Sequence, residues 1–389
     1  VAWIVDDNPL HILMMDPHLA GGGQVRYVSN LAERLTQAGH RVVIGCKPGS
    51  VLVASAAGAG CEALPVFSLK GGLRPRAWCH DIAALARYQR EHRPDVIHVS
   101  GSQDHWVAGA TAFLTRHRVC VVRTRHNTYV VKDHVPNRIL NRAWTDYQIV
   151  VCGVVRRELA RQRAFDADRM CSIHNGVDAE AYRPDPAARA AVRAEFGYRE
   201  DDLVIGIAAR LVKAKGHTYL FQAVAQLRET HPNLRILALG QGTLEEKLRE
   251  EASHLGLAGA VTWAGFRDDM ARCVQAFDIG VQPSIDCDTS SFSLKEQMAA
   301  EKPVIASDYG GLTEIVTHGE EGLIVAAGAV APLSEAIASL ADDSERRRMM
   351  GEKGRARVLR EFTIDIFARR TVEAYRRAID LHQDRRGRP

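Results

Sequence analysis

QPSIDCDTSSFSLKEQMAAEKPVIASDYGG, residues 282–311, sets an acidic residue, Asp288, ahead of a serine-rich turn and a second, Glu296, one helical turn inside the amphipathic run that follows. The pattern predicts a helix starting near Phe292. The amides of Ser290, Ser291 and Phe292 then lack intrahelical acceptors and gather at the positive end of the helix dipole. Such an end suits a phosphate or a sugar hydroxyl. A carboxylate only accepts hydrogen bonds, so Asp288 suits sugar hydroxyls and Glu296 a ribose diol, while the amides take the negative part of the ligand. A capped helix behind a surface loop explains the same letters without any ligand.

Outward from this stretch, apolar runs alternate with helical patterns. In the second half these are LVIGIAA (203–209), helix 216–229, LRILAL (234–239), helix 243–255, AVTWAG (260–265), FDIGV (277–281), helix 292–300, PVIAS (303–307) and GLIV (322–325). The first half runs HILMM (11–15), helix 24–38, VVIGC (42–46), helix 77–91, VIHV (96–99), CVVRT (120–124), IVV (149–151), a basic helix over 153–163, and MCSIH (170–174). Whether VAWIV (1–5) adds a strand stays open. Strand and helix in alternation predict parallel sheets covered on both faces, here two doubly wound α/β halves. The turn-rich HNGVDAEAYRPDP (174–186) puts the boundary near residue 195.

A length of 389 residues fits two or three domains at roughly 150 residues each. The formal charge of +4 and pI of about 8.6 are too mild for a nucleic-acid binder, yet allow an anionic substrate or an anionic membrane surface. The 8 cysteines are scattered without metal-site spacing, so reduced and mostly buried thiols are expected. No apolar run approaches the roughly 20 residues of a membrane span, and cytoplasmic residence is the expectation. The sequence opens without a methionine, which leaves room for a processed leader.

The two acids separated by seven residues, followed by Ala299, Pro303-Val304-Ile305 and Gly310-Gly311, resemble the retaining glycosyltransferases of family 4, which have the two-domain GT-B fold. The resemblance continues through GGGQVRY (21–27), RTRHN (123–127), HNGVD (174–178), the segment from Arg210 to Lys215, GQGTLEEKL (240–248) and WAGF (263–266), and so covers nearly the whole chain. It implies two Rossmann-like domains facing each other across a cleft: 1–195 for the acceptor, 196–361 for the nucleotide sugar, and 362–389 as a helix crossing back to the first domain with a basic tail. One departure stands out. Where the family usually has Glu, this chain has Asp288.

Arg210 and Lys215 follow a strand at the carboxyl end, where open α/β sheets bind ligands. Two charges in a solvated loop are the plain alternative; the resemblance assigns both to the donor diphosphate, whose leaving oxygen gains charge that fixed cations stabilise. His126 sits in the loop after CVVRT, and its ordinary pKa near 6.5 would allow acid–base work. A lone His is more often structural, but the resemblance brings it close to the donor sugar by hydroxyl contact or charge stabilisation, and counts it with Arg210, Lys215 and Asp288 as catalytic. Arg123 and Arg125 remain open as acceptor or phosphate contacts. The resemblance also implies donor contacts at Gly22, Gly23, Gly240, Phe266, Arg267 and Ser293, beside Ser290, Ser291, Phe292 and Glu296.

Gly21-Gly22-Gly23 lacks the spacing of a dinucleotide fingerprint, so no nicotinamide cofactor is expected. Asp286-Cys287-Asp288 spells DxD, but a helix terminus and two cations already supply positive charge there, so no metal is expected. The reading is metal-independent, retaining transfer from a nucleotide sugar to a saccharide or lipid-linked acceptor, in envelope polysaccharide or lipopolysaccharide assembly. An epimerase or hydrolase on the same scaffold is one alternative, and a non-catalytic nucleotide-sugar binder another. Basic segments at Arg74–Arg76, Arg138–Arg142 and Arg156–Arg163 suggest peripheral membrane association, with solvated helix faces as the plainer account.

Overall fold

The structure, a computed structural model, describes residues 8–72, 74–116, 119–126 and 131–387; VAWIV (1–5) and Asn127 of RTRHN lie outside the described residues. The chain forms two compact units, one of residues 1–176 and 364–389, the other of residues 177–363.

In the first unit a seven-stranded parallel sheet has the order β3-β2-β1-β4-β5-β6-β7. Its strands are β1 (His11–Met15), β2 (Arg41–Gly45), β3 (Glu62–Leu64), β4 (Val96–Val99), β5 (Cys120–Arg125), β6 (Tyr147–Val150) and β7 (Met170–Ser172). The second unit holds a six-stranded sheet ordered β10-β9-β8-β11-β12-β13. These are β8 (Leu203–Ala208), β9 (Leu234–Leu239), β10 (Val261–Gly265), β11 (Ile279–Gln282), β12 (Val304–Ser307) and β13 (Gly322–Val325). Strands such as β8, buried at every position, read as unbroken apolar runs because helices cover both faces. Ile205, Ile207 and Ile236 pack on one side of the second sheet, and Val204, Leu237 and Phe277 on the other.

Three features differ from the sequence reading. The boundary falls at residues 176 and 177, not 195, because helix Pro186–Glu195 belongs to the second unit. There Arg189 donates to the carbonyls of Gln275 (3.1 Å) and Phe277 (2.9 Å), and Arg193 to the Asp278 carboxylate (3.1 Å). The three-residue edge strand β3 and the helix Leu52–Gly58 were not anticipated; each is too short to show a period in sequence. The last helix, Ile364–Gly387, returns to the first unit two residues later than expected. The chain leaves and re-enters side by side, with the Val177 amide donating to the Phe362 carbonyl at 2.9 Å.

Candidate active site

In the second sheet the chain runs outward from β8 to β10, then returns to β11 on the other side of β8. The carboxyl ends of β8 and β11 are therefore the switch point, where open α/β sheets take ligands. The loops after these two strands are knitted together. Ile285 donates its amide to the Ala214 carbonyl at 2.9 Å. Gly216, at φ +72°, lies so close that a Cβ would come within 1.9 Å of the Pro283 carbonyl oxygen, which excludes every other residue.

This docking sets Lys215 Nζ 2.8 Å from Asp288 Oδ2. The same oxygen accepts Gln282 Nε2 at 2.8 Å and the Ser284 hydroxyl at 2.7 Å. Asp288 is 3% exposed, so a carboxylate taken from water is compensated by one cation and two neutral donors. Its backbone is pinned too: Gly311 donates to the Asp288 carbonyl at 3.0 Å, and a Cβ on Gly310 (φ +58°) would meet that oxygen at 2.1 Å. Cys287 takes a left-handed φ of 49° and separates the two acids of the DxD spelling. Asp286 is exposed and accepts the Cys287 amide (2.7 Å) and the Tyr309 hydroxyl (2.9 Å), bonds that hold its carboxyl below the ordinary range. The two carboxylates thus face different partners.

Helix Phe292–Ala299 starts just beyond, and Ser291 is its cap, accepting the Leu294 amide at 3.2 Å. Capping, the plain reading of this stretch, is the work of Ser291 and not of Asp288. Ser290 accepts a hydrogen bond from Lys295 Nζ at 3.0 Å. Lys295 is fully buried, its ammonium 5.7 Å from the Phe292 ring centroid and 5.6 Å from that of Phe362. Ser293 donates nothing to this cluster; its hydroxyl accepts the Gln297 amide at 2.8 Å. Glu296 is buried on the same helix, and Arg210 is exposed on the β8 loop.

Gly240 follows β9 and donates its amide to the Gly265 carbonyl at 2.7 Å. Phe266, at 68% exposure, follows β10, two strands from β8. Arg267 is engaged elsewhere: it binds both oxygens of Asp269 (2.7 and 2.8 Å) and one of Glu195 (2.8 Å), which holds its own pKa up. The structure does not bring it to the Lys215–Asp288 pair.

Gly22, Gly23 and His126 belong to the first unit. There the switch point lies between β1 and β4. Gly21 and Gly22 precede helix Gly23–Gln37 and Gly23 begins it, all three exposed, while buried Asp16 accepts the His18 amide (2.8 Å) and Gln24 Nε2 (2.6 Å). His126 follows β5 edge-on to Tyr27, ring centroids 4.6 Å apart. Burial, and then the Arg123 charge, push its pKa well below the ordinary histidine value, so the ring is neutral at pH 7. A neutral ring offers a hydrogen bond to a hydroxyl. Beneath it Tyr27, Thr124, His98 and Tyr375 form one chain of contacts: Tyr27 hydroxyl to Thr124 at 3.0 Å, Thr124 to His98 Nε2 at 2.6 Å, and His98 Nδ1 to the Tyr375 hydroxyl at 2.6 Å. Tyr375 lies on the last helix and ties it to the sheet.

The sequence reading missed Gln282, Ser284 and Lys295. Gln282 and Ser284 flank Pro283 inside the opening stretch, and a polar pair at a buried strand end was the available signal. Lys295 carried none, because a lysine in an amphipathic helix is ordinarily solvated.

Two family models match the chain: "Glycosyltransferase Family 4" over residues 21–181 and "Glycosyl transferases group 1" over residues 188–357. The D-inositol 3-phosphate glycosyltransferase of Nocardia farcinica is 27% identical over 398 residues, 89% of this chain and 85% of that protein. The GDP-mannose-dependent alpha-(1-6)-phosphatidylinositol monomannoside mannosyltransferase of Mycobacterium tuberculosis (strain ATCC 25618 / H37Rv) is 32% identical over 209 residues, 52% of this chain and 54% of that one; the chain spans about half the length of this relative. Among solved structures, Anabaena Alr3699/HepE in complex with UDP-glucose superposes with a TM-score of 0.81 at 20% identity, over 94% of this chain and 98% of the other, a likeness of fold.

Proposed function

The chain belongs to the group 1 glycosyl transferases, with a Family 4 half at its amino end, and from that premise we propose that it moves a sugar, with retention, from a nucleotide-sugar donor to a hydroxyl of a saccharide or lipid-linked acceptor. The observation that carries this is the Lys215–Asp288 pair at the β8–β11 switch point, beside the start of helix Phe292–Ala299. A diphosphate there meets Lys215, Arg210 and the helix terminus, which stabilise the charge that grows on the leaving oxygen without proton transfer. Glu296 takes the ribose diol, Gly240 and Phe266 flank the base, and the acceptor is assigned to the first unit, where neutral His126 contacts hydroxyls. That Asp286 and Asp288 bond different partners, the Tyr309 hydroxyl and Lys215, supports a metal-independent reaction. A role in envelope polysaccharide or lipopolysaccharide assembly, on the cytoplasmic side of the membrane, is the setting we propose.

A thermal-shift screen against nucleotide sugars, followed by donor turnover with and without candidate acceptors in EDTA, tests the reading. Release of nucleotide that requires an acceptor is expected. Turnover without one would indicate a hydrolase or epimerase, binding without turnover a non-catalytic binder, and loss of turnover restored by magnesium a metal at the DxD spelling.

A further inference from the structure

A cavity of about 740 Å³ opens in the first unit at the amino edge of its sheet. Pro94 and Asp95 line it just before β4, and Val119 and Cys120 at the start of β5. Gly22 and Gly23 follow β1 and His126 follows β5 at the opposite, carboxyl edge, so the length of the strands separates this space from the residues assigned to transfer. Three helices close it: Pro75–His92 and Ser102–Leu114 through their ends, and the returning helix Ile364–Gly387 through Ile379, His382 and Gln383. A volume of this size suits a small metabolite.

Arg90, Arg93 and Arg116 line the cavity, all three exposed, and among the described residues none has an ion-pair partner. One carboxylate stands against these three positive charges, that of Asp95, which accepts the His11 amide at 2.7 Å. Basic residues at the carboxyl end of a helix favour its dipole, a plain account of the arginines. It does not account for two buried polar atoms on the same lining. Gln89 is 8% exposed and His382 6%. The Gln89 amide oxygen accepts the Thr115 hydroxyl at 3.3 Å, whereas its Nε2 is buried with no partner. His382 Nδ1 lies 3.2 Å from the Asp146 carboxylate, which only accepts, so in the neutral ring the proton sits on Nδ1 and the buried, unpartnered Nε2 presents a lone pair. A donor and an acceptor left open beside three unpaired cations call for a ligand that supplies an acceptor, a donor and negative charge. A phosphate monoester of a sugar or polyol has all three.

We infer that this cavity is a second binding site, which takes a phosphorylated sugar or polyol: the arginines hold the phosphate, Gln89 donates to a ligand oxygen and His382 accepts a ligand hydroxyl. Because the lining joins the ends of two helices to the returning one, the occupied site fastens helix Ile364–Gly387 to the rest of the first unit. The inference does not rest on the transfer reaction, and its test measures no turnover. The full chain is titrated calorimetrically with glucose 6-phosphate, ribose 5-phosphate and fructose 1,6-bisphosphate, with glucose and inorganic phosphate as controls, and amide hydrogen exchange is read on the same mixtures. The expected result is binding of at least one of the three sugar phosphates, tighter than inorganic phosphate and absent with glucose, with exchange slowed around both Arg90 and His382. The double substitution Arg93→Asn, Arg116→Asn should weaken binding by roughly tenfold or more. Both arginines are left-handed, at φ 48° and 58°, a conformation Asn tolerates, so the helix ends survive the change. Arg87→Asn, on the same helix but outside the cavity and paired with Glu91 at 2.9 Å, should leave binding as it is. Saturating UDP should not displace the sugar phosphate. Failure of all three to bind, or a double variant that binds as the parent does, would overturn the inference. So would inorganic phosphate binding as tightly, which would leave an adventitious ion only, and displacement by UDP, which would put the sugar phosphate in the nucleotide site.

Discussion

The two carboxyl edges share one topology and differ in charge. At the second, a cation and an anion meet across two loops, and Arg210 is exposed on the loop after β8. At the first, His126 lies edge-on to Tyr27; His98 is held to about 3 and His126 well below its ordinary value, chiefly by burial and next by the Arg123 charge. An edge that pairs a lysine with a carboxylate presents a donor that a diphosphate can take over. At the first edge the neutral histidines offer hydrogen bonds, and the buried charges are those of Asp16 and Arg123. The doubly wound fold supplies the switch point in both units, and the residues at the strand ends decide what binds there.

The sharpest way to break this contrast is to remove the cation. Lys215→Ala should lower turnover by about 10²-fold or more. It also leaves Asp288 buried without its counter-charge, at a cost of about 3 kcal/mol. Steady-state kinetics at saturating donor, with a melting curve on the same sample, check both; near-parental turnover would dismiss the phosphate role. Next comes the anion. Asp288→Ala strands Gln282 and Ser284 as well as Lys215, so turnover and free nucleoside-diphosphate affinity should fall together, each by about tenfold. A variant that binds nucleotide normally but changes its donor-sugar preference would instead make Asp288 a sugar contact. Asp288→Glu must fit another methylene into a buried site and should cost about 1–3 kcal/mol.

The first edge is probed by acid. His98 is neutral in the folded state down to about 3, whereas the unfolded chain takes up that proton near 6.5, so stability from this residue is present above about pH 6.5 and is lost as pH falls toward 3. His105 and His126, both lowered by burial, act in the same direction. Asp104, raised by burial to about 6, opposes them over the upper part of that window. Urea unfolding at pH 7 and pH 5 should show the loss, and Tyr375→Phe, which removes the hydroxyl at His98 Nδ1, should cost about 1 kcal/mol at pH 7. Equal stability at the two pH values would mean the histidines are not held neutral. The smallest effect is reserved for Arg267→Ala. With its guanidinium engaged by Asp269 and Glu195, turnover should change less than about threefold and stability by under about 1 kcal/mol; a large loss of donor affinity would return Arg267 to the nucleotide.

Much of this architecture was legible in the letters. Buried parallel strands must be apolar along their whole length, so HILMM, LVIGIAA and PVIAS declared themselves, and turn-bounded alternation with helices left two doubly wound sheets as the answer. The stretch from Gln282 to Gly311 named Asp288 and the helix start, because carboxylates, serines and glycines at a strand end have few other uses. Local pattern could not show partners. That Lys215 reaches Asp288 across 73 positions, that Arg267 is drawn off by Glu195, and that Arg189 pulls its helix into the second unit depend on contacts between distant segments. The cavity at the amino edge of the first sheet is of the same kind, since Gln89 and His382 come to its lining from opposite ends of the chain. Periodicity and spacing report on neighbours in the chain, whereas burial, charge pairing and a histidine's protonation arise only when folding removes water and brings remote groups together.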